Sequence, residues 1–92
     1  MTIKQQARNL APDMDQVIKY MVEARDDYRS EGDQERSTMR SQDAKNMRRI
    51  RSLLRQGKVK SAYEKASSMD TEAQAWIPDS CWFFMQENWE VE

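Results

Sequence analysis

The chain has 92 residues, 34% charged and 38% apolar, and its net charge is −1. That length makes one domain with a limited core and a small margin of stability. One cysteine and no histidine exclude an internal disulfide, Cys–His and Ser–His–Asp catalysis and the common zinc sites.

Two glycines and two prolines are few, so long stretches lack breakers and helix is expected throughout. Residues 2–10, "TIKQQARNL", predict a frayed helical turn or a flexible arm covering 1–10. The first full helix is expected at about 12–30. Pro12 suits a first turn, and Asp13 and Asp15 favour the positive end of the helix dipole. Met14, Val17, Ile18, Met21, Ala24 and Tyr28 recur at spacings of three and four and form one apolar stripe. Arg25 falls in that stripe, where its stem packs while its head reaches water. "SEGDQERS" reads as a loop, with Gly32 as the helix stop.

The second helix is expected at about 38–56, capped by Ser37, Thr38 or Ser41. Its apolar face is Met39, Met47, Ile50, Leu53 and Leu54. Gly57 ends it and opens a third helix, about 58–69, as a helical hairpin. Asp70 or Thr71 caps a short helix, "TEAQAWI", which Pro78 terminates. Asp79 or Ser80 then caps a last helix, "CWFFMQENW", with Trp82, Met85 and Trp89 on one face and Phe83 on its flank. A strand reading of "CWFFM" competes, but nothing elsewhere offers it a partner strand. The expected fold is therefore all-α, a single-domain bundle of three to five helices over residues 1–92.

Charge is segregated along the chain. Residues 36–60 hold nine bases and one acid, Asp43; the segments 12–35 and 61–92 are acidic. Arg40, Arg48, Arg51, Arg55 and Lys58 fall within about 80° of one another on a helical wheel. One reading is intramolecular pairing with the acidic segments, each exposed pair contributing about 0–1 kcal/mol. The other is a site on Arg40, Arg48, Arg51 and Arg55 for a polyanion or an acidic protein surface. The near-neutral total argues against a dedicated nucleic-acid binder.

No glycine-rich phosphate loop occurs, and "SEGDQE" lacks the ligand spacing of a calcium loop. No catalytic residue, metal or cofactor is expected. Cys81 reads as a small apolar residue beside Trp82. No secretory signal is expected from "MTIKQQARNLAP", and no run is long and apolar enough to span a membrane. These features predict a cytoplasmic chain.

All three tryptophans and both phenylalanines lie in residues 76–89. Some of Trp76, Trp82, Phe83, Phe84 and Trp89 are expected to close the core. One face cannot bury them all, so Trp82, Phe83 and Trp89 are expected to serve a partner, another protein or a second copy. The leading expectation is a non-enzymatic protein-interaction module. Small, charged chains without catalytic equipment are of the kind that phages and mobile elements encode to inhibit or adapt a host protein machine. The alternative is an accessory factor that binds nucleic acid or nucleotide through the basic helix, 36–60.

Overall fold

The computed structural model describes all 92 residues, and they form helices without a strand. In chain order these are α1 (Ile3–Leu10), a 3-10 turn (Ala11–Asp13), α2 (Met14–Ser30), α3 (Gln34–Arg55), α4 (Val59–Ser67), the single turn α5 (Thr71–Gln74) and α6 (Asp79–Glu87). The molecule is a rod of 47 × 20 × 18 Å. α3 is its spine, and α1, α2 and α4 all pack against it. No helix is long and apolar enough to cross a membrane.

Two glycines set the hairpins. α2 and α3 each end in a Schellman motif. At the first, the amide of Asp33 donates to the Tyr28 carbonyl at 2.8 Å and that of Gly32 to Arg29 at 3.1 Å. At the second, Lys58 donates to Leu53 at 2.9 Å and Gly57 to Leu54 at 3.0 Å. Both glycines sit at positive φ, 79° and 73°, where a side chain is strained. Gly57 is needed twice over: a Cβ there would come within 2.9 Å of Lys4 Cβ. α1 thus lies across the end of α3.

Residues 3–10, expected as a frayed helical turn or an arm, form a capped helix packed on the core. Thr2 and Gln5 form a reciprocal capping box, with Thr2 Oγ1 accepting from the Gln5 amide at 3.1 Å and Gln5 Oε1 from the Thr2 amide at 2.8 Å. Ala7 and Ala11 are buried, and Ile3 and Leu10 pack on the core.

Other boundaries also move. The expected loop 30–37 shrinks to three residues, because Asp33 caps α3 by accepting from the Arg36 amide at 3.0 Å. Ser37 is instead buried inside the helix, donating its hydroxyl to the Arg25 carbonyl at 3.1 Å. Asp70 caps α5 as expected, accepting from the Ala73 amide at 2.8 Å. α6 has no side-chain cap; the Pro78 carbonyl accepts from the Cys81 and Trp82 amides. The Ser80 hydroxyl goes to Asp13 at 2.8 Å, which ties α6 to the turn before α2.

The core is built without aromatic rings. Met14, Met21, Met47, Ile50, Leu54 and Met85 are fully buried. The alanines at 7, 11, 44, 62 and 66 are also fully covered and let the helices approach closely. Flexible methionines fill the remaining irregular space. The expectation that some of the rings close the core holds only for Trp82 and Phe84, which are partly buried and pack against it, while Trp76, Phe83 and Trp89 stay exposed. Met39, expected on the apolar face of the basic helix, is 45% exposed at the rim of a shallow cleft with Met69 and Asp70.

Candidate functional site

α6 and the turn before it carry the aromatic residues. Cys81 and Met85 face inward and are fully buried. Trp82 is half-buried and packs tilted on Tyr63 of α4, ring centroids 5.7 Å apart. Its free side lines an open cleft of about 280 Å³ with Thr71, Gln74, Ala75, Ile77 and Asp79. Phe83 is 54% exposed and touches no other ring closely enough to stack.

Trp89 does not share the Trp82–Met85 face. The helix stops at Glu87, where Asn88 leaves the helical region (φ −120°) and its side-chain amide donates to the Phe84 carbonyl at 2.9 Å. Trp89 stands in the following turn, 51% exposed. The tail then folds back onto α4. The Val91 carbonyl accepts from the Lys60 amide at 2.6 Å, and the Glu92 carboxylate from the Ser61 hydroxyl at 2.6 Å. Both bonds reach the N-terminal turn of α4, and the first satisfies one of the amides there that lack helical partners. Trp89 is therefore held on a fastened turn.

A third exposed aromatic feature was not singled out from the sequence. Trp76, 44% exposed, stacks on Tyr20 of α2, 41% exposed, with centroids 4.3 Å apart. Beyond Tyr20, the outer face of α2 forms a shallow groove with Glu23, Asp27, Tyr28 and Glu31. Tyr20 lies off the apolar stripe of α2, and that offset was the available signal.

The four arginines singled out in the basic segment separate into two groups. Arg40 faces inward, with 13% of its side chain exposed, and binds Asp43 at 2.7 Å and Glu72 at 3.0 Å. Burial opposes its charge, but the two carboxylates outweigh it and raise its pKa. Asp43 is raised by burial, opposed by Arg40, with Asp70 and Glu72 adding repulsion. Arg51 is held by Asp15 of α2 at 2.7 Å. Neither Arg40 nor Arg51 is free for a partner. Arg48 and Arg55 point to solvent and have no carboxylate partner.

Cys81 is sealed. Its thiol lies 3.5 Å from the Leu10 carbonyl. Burial, opposed by a Ser80 hydrogen bond and reinforced by Asp13, pushes its pKa up to about 11. That is the opposite of the lowered pKa of a reactive cysteine. No three side chains among the cysteine, aspartates and glutamates are grouped as metal ligands would be.

No family model, no curated protein and no solved structure matches this chain.

Proposed function

We propose that this protein is a non-enzymatic binding module that docks on another protein through its C-terminal aromatic surface. The observation that carries the reading is that Phe83 and Trp89 stand more than half exposed on elements fastened at both ends. Large aromatic side chains are enriched at interface centres, where truncating one costs about 2 kcal/mol or more. Phe83 and Trp89 take no part in the buried core, so their place at the surface calls for another use. The half-buried Trp82 and its cleft supply a concave element beside α6. A rigid surface of this kind loses little conformational entropy on docking.

Such a module acts by covering a partner's surface, as an inhibitor, or by bridging two partners, as an adaptor. A small phage or mobile-element protein directed at a host machine fits both modes. The test is affinity capture from the source organism with the intact chain and with a Phe83→Ala/Trp89→Ala variant. A partner retained by the intact chain and lost by the folded variant supports the reading. Equal capture by both refutes it.

A further inference from the structure

The outer face of α3 has a composition unlike the aromatic surface, and it points to a different kind of ligand. Lys45, Arg48, Arg49 and Arg55 are all exposed and fall within an arc of about 120° at 100° per residue. None is paired with a carboxylate, since the five ion pairs of the molecule use other bases. Residues 44–60 contain no acid at all. The neutral side chains interleaved on this face include Thr38, Ser41, Ser52 and Gln56. From Thr38 to Gln56 the face runs about 27 Å at 1.5 Å per residue.

α1 extends the row. It contains Lys4 and Arg8 and no acid, and both bases are exposed. The Lys4 stem lies against Gly57, which sets an exposed base beside the C-terminal end of the strip. Asp15 of α2 is already occupied by Arg51, at the edge of this face.

We infer that this face of α3, extended by Lys4, binds the phosphate backbone of a nucleic acid. Arginine and lysine interleaved with serine and glutamine is the set that contacts phosphate oxygens. Protein interfaces need an apolar anchor at their centre, and this strip has none: the exposed large apolar residues lie outside α3, save Met39, which is about 80° round α3 from the edge of the strip. The near-neutral total charge does not oppose the assignment. The rod is 18–20 Å thick, about twice the screening length of roughly 8 Å at physiological salt, so the acids across the molecule are largely hidden from this face. No base-reading element accompanies the strip, so the binding is sequence-independent. The inference stands apart from the protein-docking surface; together the two would hold a protein partner against nucleic acid.

The test is fluorescence anisotropy with a labelled DNA duplex of about 20 base pairs, titrated from about 50 to 200 mM salt. The four bases of α3 predict a slope of about −3.6 in log K against log salt, and Lys4 brings it to about −4.5. An Arg48→Gln/Arg55→Gln variant loses at least tenfold in affinity at low salt, and its slope falls by about 1.8. Lys45→Gln/Arg49→Gln behaves likewise, which guards against one variant failing to fold. Phe83→Ala/Trp89→Ala binds the duplex like the unaltered chain. Three results would overturn the inference: no binding at low salt, binding unchanged in both arginine and lysine variants, or displacement of the duplex by a polyglutamate peptide of equal charge, which would assign the face to an acidic protein.

Discussion

Arg40 and Asp43 form a 2.7 Å ion pair one helical turn apart, with only 13% and 10% of their side chains exposed. The pair joins α3 to α5 through Glu72, whose carboxylate takes the second guanidinium nitrogen. Breaking such a pair is costlier than never having made it, because the remaining charge stays buried.

Arg40→Ala is therefore expected to destabilise the fold by about 3 kcal/mol, measured by urea unfolding. The loss has a defined pH dependence. Asp43 already has a raised pKa through burial, opposed by Arg40, and without Arg40 it rises further. A carboxylate with a raised folded pKa binds more protons folded than unfolded, so its variant recovers stability as pH falls toward the unfolded value. A variant whose stability instead keeps falling between pH 6 and 4, by roughly a kcal/mol or more relative to the parent, would contradict this account of the pair.

Gly57→Ala should be among the costlier single-methyl changes in the chain. It strains a residue at φ 73° and drives a Cβ to 2.9 Å from Lys4. Gly32→Ala meets only the strain, having nothing within 4 Å of the added carbon. The strain alone is worth about 1 kcal/mol, so Gly57→Ala should exceed Gly32→Ala in unfolding experiments. Equal losses would mean that α1 is not seated on Gly57.

The Cys81 thiol should resist a thiol reagent in the folded protein and react fully in denaturant. Its pKa, pushed up to about 11 by burial against the ordinary thiol value of about 8.5–9, also sets a stability window at high pH. The folded state keeps the proton while the unfolded state loses it, so stability is full below about pH 9 and declines toward pH 11. The decline is of order 2 kcal/mol at about 1.4 kcal/mol per pH unit. A Cys81→Ala variant should lack that decline, as seen by comparing unfolding at pH 8 and pH 10.5.

Truncation should separate the surface from the core. Leu54→Ala, at a fully buried position, is expected to cost about 2–5 kcal/mol. Phe83→Ala should change stability by no more than about 0.5 kcal/mol, as surface substitutions do. Calorimetry on the two variants checks the contrast. A Phe83→Ala loss as large as that of Leu54→Ala would show the ring to be structural.

The helical fold was legible because two long segments repeat their apolar residues every three to four positions, and because Gly32 and Gly57 stand where helices stop. The N-terminal helix was also written in the chain, since Thr2 and Gln5 have capping-box spacing, but eight residues carry too little periodicity to draw notice. The fate of the rings was not legible. A wheel places Trp82, Met85 and Trp89 together only if the helix runs to residue 89, and Asn88 ends it earlier. The fate of Arg40 and Arg51 was equally hidden. Both share an arc with Arg48 and Arg55, and only the packing of α2 and α5 on α3 decides which guanidiniums meet an acid.

The docking of a protein partner on the aromatic surface is the central claim, and quantitative affinity capture with matched variants tests it most directly. The intact chain, Phe83→Ala/Trp89→Ala and Arg48→Gln/Arg55→Gln would be immobilised at equal density, each verified as folded by circular dichroism, and exposed to nuclease-treated lysate of the source organism. The account predicts one or a few proteins enriched by the intact chain and by the arginine variant, and depleted at least tenfold by the aromatic variant, the ~1.4 kcal/mol that a lost anchor readily exceeds. The same proteins captured undiminished by the aromatic variant would contradict it.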